Sequence, residues 1–251
     1  MKPLLLILAA CGVLSAQPPV VLEASSARQV IALEGKTHHV QGIDTDGDHL
    51  WVTAVDRPTA KGFLYEYSLR DGKLLRSLEV QQGDRYHPGG IATDETSIWI
   101  PIAEYKASSS ATIQRRNKKT LEVEFEFSVP DHIGCVAVTP EYIIGGNWDS
   151  RDFYLWDHQG KLIRKVASRT GNSYQDIKVR EGKIVASGTI PGGSGAVDWL
   201  DLLTVSLLKR VPVGSTNSGA SLAREGMTIF EAQLLFVPED DMSRLFSIPL
   251  P

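Results

Sequence analysis

His87-Pro88-Gly89-Gly90-Ile91 is a stretch in which small and polar residues give way to an apolar run. Three further strand-like runs follow it, at 98–103, 111–115 and 122–127. The same pattern recurs at His39-Val40-Gln41-Gly42-Ile43, His132-Ile133-Gly134-Cys135-Val136, Ser173-Tyr174-Gln175-Asp176-Ile177 and Ala223-Arg224-Glu225-Gly226-Met227. The fourth positions are 42, 90, 135, 176 and 226, so the spacings are 48, 45, 41 and 50, a period near 46. A period of this size marks a repeat of one supersecondary unit.

The other units carry matching runs. They lie at 50–55, 62–67 and 74–80 in the first, 142–146, 153–157 and 162–167 in the third, and 183–187, 195–200 and 207–211 in the fourth. The fifth unit has only 234–237 and 245–248, one strand short, while residues 29–33 stand before the first motif with no unit of their own. β-branched and aromatic runs punctuated by Gly, Pro, Asp and Asn, without a long 3.6-residue period, are the signature of an all-β chain. The pattern predicts a β-propeller of five four-stranded blades, with the N-terminal strand completing the last blade. Residues 17–251 number 235, or 47 for each of five blades, in a single domain with no linker-like tract.

Composition narrows the class. Hydrophobic residues make up 42 % and charged residues 22 %, with a net charge of −4, so the chain has the apolar content a packed core needs. No Lys/Arg cluster is large enough to neutralise many phosphates, which argues against a nucleic-acid partner. No apolar run is long enough for a membrane span. Residues 1–16 predict a signal peptide: Lys2 is the positive end, an apolar stretch follows, and Ala16 precedes Gln17-Pro18-Pro19. A second reading takes Leu8-Ala9-Ala10-Cys11-Gly12 as a lipobox with a lipid on Cys11. A third reading leaves the leader uncleaved as an anchor, and all three place the folded part outside the cytoplasm, secreted or periplasmic, with membrane contact only through the leader or that lipid. Cys135 then has no disulfide partner and is expected to be a small buried hydrophobe.

In a propeller the innermost strand of each blade lines a central channel, and its start lies near the end of the second strand. His39, His87 and His132 begin the inner strands of blades one to three. Two positions later come Gln41, Gly89, Gly134, Gln175 and Glu225. Second-strand exits add Asp56, Glu104, Asn147, Asp149 and Glu239. Three imidazoles from adjacent blades could share one divalent metal ion with an open position for water. Without a metal, a His beside Glu225 or Glu104 is a candidate general base, with His39, His87, His132 and Glu225 as the catalytic set. Gln41, Gln175, Glu104, Asn147, Trp148 and Asp149 are the candidate ligand-binding residues. The blander alternative is that each His fixes a loop of its own blade, as in WD repeats. Trp156-Asp157 ends a third strand in that manner, but in one blade of five. The Asp44-Thr45-Asp46-Gly47-Asp48 run lacks the later Glu of a calcium loop and is expected to be a turn.

With those residues in view, the chain resembles an uncharacterised family of secreted or lipid-anchored bacterial propellers. The resemblance lies in His38–Asp44, His87–Ile91, Pro101–Tyr105, Asp131–Gly134 and Asn147–Arg151, in blades one to three. It implies the fold and no particular reaction. More loosely, a five-bladed architecture is similar to that of glycan-cleaving hydrolases, calcium-dependent nucleotidases and plant-type glutaminyl cyclases. The three-carboxylate pattern of the glycosidases does not map, because Asp44 lies inside the strand after His39. The expectation is a monomer with a polar pocket at one channel mouth that takes a small ligand or metal ion, with hydrolase or lyase chemistry if it is an enzyme. The rival is a non-enzymatic interaction scaffold for an envelope protein.

Overall fold

The computed structural model describes residues 20–21 and 27–251; the expected leader, residues 1–16 with Cys11, lies outside the described residues. Two strands, β1 (Val20–Val21) and β2 (Arg28–Ala32), precede the repeat. Blade one is β3 (His39–Thr45), β4 (His49–Asp56), β5 (Lys61–Ser68) and β6 (Leu74–Glu79). Blade two is β7 (Arg85–Pro88), β8 (Ala92–Thr93), β9 (Ser97–Glu104), β10 (Ala111–Asn117) and β11 (Val123–Val129). Blade three is β12 (Ile133–Val138), β13 (Ile143–Asn147), β14 (Asp152–Trp156) and β15 (Leu162–Ala167). Blade four is β16 (Ser173–Arg180), β17 (Lys183–Thr189), β18 (Gly195–Asp201) and β19 (Leu207–Val213). Blade five has β20 (Gly226–Phe230), β21 (Gln233–Val237) and β22 (Arg244–Pro249), and β2 pairs with β22 as its fourth strand. The five antiparallel blades stand in a ring, a five-bladed β-propeller closed by its N-terminal strand. Closure of this kind ties the two ends of the domain together and covers a sheet edge.

Two details go beyond the repeat pattern. β1 lies parallel to β19 and adds a fifth strand to blade four. The inner strand of blade two is split into β7 and β8 at Gly89-Gly90-Ile91, which follow Pro88, a residue with no amide hydrogen for the ladder.

The core is five interfaces rather than one centre. Each neighbouring pair of blades encloses its own apolar cluster: Trp51 with Ile98 and Ile100 between blades one and two, and Ile113 with Tyr154 and Trp156 between two and three. Phe153 packs with Ile184 and Leu200 between three and four, and Val197 with Phe236 and Phe246 between four and five. Val52 packs with Val237 and Leu245 between five and one. Cys135 belongs to the third of these clusters, and burial pushes its thiol up to about 12, so it serves as an inert apolar group. The outermost strands β6, β11 and β15 are largely exposed, and each carries two charged side chains that blunt its free edge.

The recurring glycines have one cause. The inner strands touch at the waist of the ring, and a Cβ on Gly42 would stand 2.4 Å from the Gly90 Cα. One on Gly89 would stand 2.0 Å from the Gly134 carbonyl oxygen. Gly90 donates its amide to the Gly134 carbonyl and accepts that of Val136, both at 2.9 Å, joining blades two and three directly. The buried carboxylate of Asp176 completes the waist by accepting the Ile43 amide at 3.0 Å and the Met227 amide at 3.1 Å, from blades one and five. The ring therefore has a separate cavity at each end. One, of about 280 Å³, is lined by Asp44, Thr93, Lys178 and Thr228; the other, of about 340 Å³, holds the residues that begin the inner strands.

Candidate functional site

The second cavity is built by a repeated irregularity of the backbone. In blades one, three and four the pairing of first and second strands slips by one residue, between Val40 and Gly42, Ile133 and Cys135, and Tyr174 and Asp176. The extra residues are Gln41, Gly134 and Gln175, and all three line the cavity. A bulge re-aims one side chain out of the ladder, here towards the channel mouth. In blade five Glu225 occupies the same place, immediately before β20, and also lines the cavity.

The three candidate imidazoles line the cavity but do different things. His132 is buried, and its Nδ1 lies 3.0 Å from the Lys106 carbonyl oxygen. A carbonyl only accepts, so Nδ1 carries the hydrogen and Nε2 carries the lone pair. His87 Nε2 lies 2.7 Å from Gln41 Oε1, while Gln41 Nε2 donates to the Val40 carbonyl, so His87 donates and its buried Nδ1 is left without a partner. Burial holds both imidazoles below the ordinary histidine range, His87 well below it.

His39 sits among charges. Its Nδ1 is 3.0 Å from Asp240 Oδ1 and 3.8 Å from Glu225 Oε1. Arg224 reaches both acids, with Nε 3.0 Å from Glu225 and Nη2 2.9 Å from Asp240. Burial pushes the Glu225 carboxyl well above the ordinary range, with Arg224 restraining the rise. Burial acts in the same sense on Asp240, but the hydrogen bond from His39 and the charge of Arg224 prevail and hold it below that range. Asp240 is thus the acceptor that fixes the His39 ring, and burial favours the protonated form of the Glu225 carboxyl beside it.

Trp148 forms another wall. It belongs to the tight turn Trp148–Ser150, where Asp149 and Ser150 adopt left-handed conformations at φ 58° and 51°. Two consecutive non-glycine residues in that region need outside support. Asp131 supplies it, accepting Asn147 Nδ2 at 2.9 Å, the Tyr154 hydroxyl at 2.6 Å and the His132 amide at 2.8 Å. Ser150 adds a bond from the Tyr174 amide at 3.0 Å and donates to the Tyr174 carbonyl.

The structure brings together His39, His87, His132, Gln41, Gln175, Asn147, Trp148, Asp149 and Glu225 on one cavity. Glu104 is not among its lining; as the last residue of β9 it pairs with Lys106 Nζ at 2.5 Å, which holds its carboxyl below the ordinary range. Asp56 and Glu239, the other carboxylates at second-strand exits, bind Thr59 and Arg244 instead. The three histidines expected as a ligand set share the cavity lining. Among the described residues, the group whose ligand atoms lie within 4.8 Å of one another is His39, Glu225 and Asp240. His87 and His132 bind Gln41 and the Lys106 carbonyl through Nε2 and Nδ1, which leaves the other nitrogen of each ring facing no hydrogen-bond partner among the described residues. A cation at His39, Glu225 and Asp240 would have to displace the Arg224 guanidinium that bridges the two acids.

Four contributors escape a reading of inner-strand starts: Arg57, Tyr105 and Arg224, which line the cavity, and Asp240, which stands behind His39. Their signal in sequence is position. Arg57, Tyr105 and Asp240 each follow by one residue an acidic residue at a second-strand exit.

No curated protein matches the sequence. Among solved structures, the chain is similar to a glutaminyl cyclase from Myxococcus xanthus, with a TM-score of 0.67 and 15 % identity over 92 % of this chain and 97 % of that one. It is also similar to the WD40 domain of Pan2 from Neurospora crassa, with a TM-score of 0.48 and 12 % identity over 92 % of this chain and 74 % of that one. At such identities the likeness is one of fold. Residues 59–185, which run from the turn between β4 and β5 into β17 and include His87, His132 and Trp148, match the model of a family of unknown function. The chain belongs to that family, DUF6454.

Proposed function

We propose that the cavity at this mouth binds a small polar ligand and performs general acid–base chemistry on it. The carrying observation is the Asp240–His39 pair at 3.0 Å with the buried Glu225 carboxyl 3.8 Å away. Asp240 takes the Nδ1 hydrogen and leaves His39 Nε2 to accept a proton, while Glu225 holds one to give. A base and an acid set by opposite environments on one wall suit hydrolysis or elimination at a polar bond. Gln175, whose side chain makes no hydrogen bond to the other described residues, is available to orient the ligand. The same chemistry would suit the cyclisation named for the Myxococcus xanthus neighbour, so N-terminal glutaminyl peptides join esters, amides and lactones in the panel to be assayed.

The test compares turnover of that panel by wild type, His39→Ala, Asp240→Asn and Glu225→Gln. Loss of one proton-transfer group is worth about 10²-fold or more, so His39→Ala should lose that much and Asp240→Asn a smaller part. Glu225 has a raised pKa, so its acid form is present on the acidic side and lost as pH rises. Wild-type turnover should therefore fall on the alkaline limb, and Glu225→Gln should remove that limb. Folded variants that turn over a substrate as wild type does would refute the assignment. A wild-type protein that neither turns over nor is thermally stabilised by any panel member would favour the interaction scaffold.

A further inference from the structure

The cavity carries a continuous row of rings that ends in a cation. Trp148 meets His132 edge to face with centroids 4.7 Å apart, and His132 lies 5.3 Å from His87. His87 meets Tyr105 edge to face at 4.5 Å, and the Arg57 guanidinium lies over Tyr105 at 5.1 Å. The row runs from blade three through blade two to blade one. Stacking on Tyr105 holds Arg57 in place before any ligand arrives, which lowers the entropy lost on pairing it.

Arg57 is also the guanidinium that the protein leaves unmatched here. Asp240 and Glu225 are bridged by Arg224, Asp149 faces Arg151, and Asp56 faces His38. No ion pair among the described residues includes Arg57. Asp240 and Glu225 share the one Arg224 guanidinium, so Arg57 is the cation of this wall that has no carboxylate partner among the described residues.

We infer that the ligand of this cavity is a small organic carboxylate with a flat, ring-bearing body, its anion on Arg57 and its body along the rings towards Trp148. The inference rests on the small-ligand reading above and names its chemical class. A carboxylate matches the planar fork of one guanidinium, whereas a phosphate dianion would need a second free cation that the wall does not offer.

Calorimetry with four probes of one ring size tests it: benzoate, benzamide, benzylamine and phenyl phosphate. Benzoate should bind about tenfold tighter than benzamide, the worth of one charge-assisted bidentate contact at a partly exposed site. Arg57→Ala, at an exposed position that should not affect folding, should bring benzoate down to the benzamide level. Arg57→Lys should restore only part, because the fork is lost. Trp148→Ala should weaken benzoate and benzamide by the same factor. If benzamide or benzylamine binds as tightly as benzoate, or if Arg57→Ala keeps the preference, the carboxylate assignment is overturned while the small-ligand reading stands. Preference for phenyl phosphate also overturns it, in favour of a phosphoester. If folded wild type binds none of the four at millimolar concentration, both the inference and the reading beneath it fall.

Discussion

Asp176→Asn tests whether the waist of the ring is held from its centre. The wild-type carboxylate is fully buried and accepts four hydrogen bonds. One oxygen takes the Ile43 and Met227 amides at 3.0 and 3.1 Å; the other takes the Ile177 amide at 2.9 Å and Lys178 Nζ at 2.6 Å. An asparagine keeps one acceptor oxygen and turns an NH₂ group towards two donors. Either the amides of blades one and five are stranded, or the Lys178 ammonium is. A stranded buried donor costs about 1–3 kcal/mol, and breaking a buried ion pair about 3–5 kcal/mol. These costs overlap, so we expect a loss of about 3–5 kcal/mol, or a Tm lower by about 6–20 °C for a domain of this size. Burial pushes the Asp176 carboxyl up to about 7, so urea denaturation followed by tryptophan fluorescence belongs at about pH 8, where the carboxylate is ionised. Adding Lys178→Met should recover part of the loss, because the uncompensated charge is then gone. A loss below about 1 kcal/mol would refute the reasoning and assign the hold on the ring to the five interfaces, the Gly90 bonds and the β2 closure.

Gly89→Ala should cost about 3 kcal/mol or abolish folding, because the new Cβ would stand 2.0 Å from the Gly134 carbonyl oxygen of blade three, which is held by the Gly90 amide. Gly214→Ala, where a Cβ meets nothing within 4 Å, is its control and should shift the denaturation midpoint by no more than about 0.5 kcal/mol. Asp131→Ala should release the left-handed turn under Trp148, lowering stability by about 1–3 kcal/mol. Faster amide exchange should then be confined to residues 147–152, and a uniform increase over blade three would show that the turn holds itself.

The repeat was legible because its cause acts on residue type. Inner strands that touch at the waist admit only small residues at Gly42, Gly89 and Gly90, and an apolar run must follow to face the next blade. Five such stretches, with one strand missing at the end and one spare at the start, fix both the blade count and the closure. The pairing of β1 with β19 was not legible, since two valines carry no period. Nor was the split of β7 from β8, which depends on how blades two and three approach.

The site was legible to within one residue, and the error has a physical origin. Reading equivalent repeat positions picked out Gln41, Gln175 and Glu225; bulges turn the first two out of the ladder to the mouth, and Glu225 stands just before its strand. At the second-strand exits the same reading stopped at Asp56, Glu104 and Glu239, the acidic residues that catch the eye. Strand side chains alternate, so a shift of one residue changes the face. The residue after each of these acids, Arg57, Tyr105 or Asp240, is the one that reaches the site. Blade three escapes the error because its turn is left-handed at Asp149 and Ser150, and Asn147, Trp148 and Asp149 all line the cavity. The charged pattern of the site therefore differs from the one the motif suggests. Its three histidines stand in different surroundings. One imidazole is held by an ionised acid, two neutral ones sit in an aromatic row, and that row ends at a guanidinium with no carboxylate of its own.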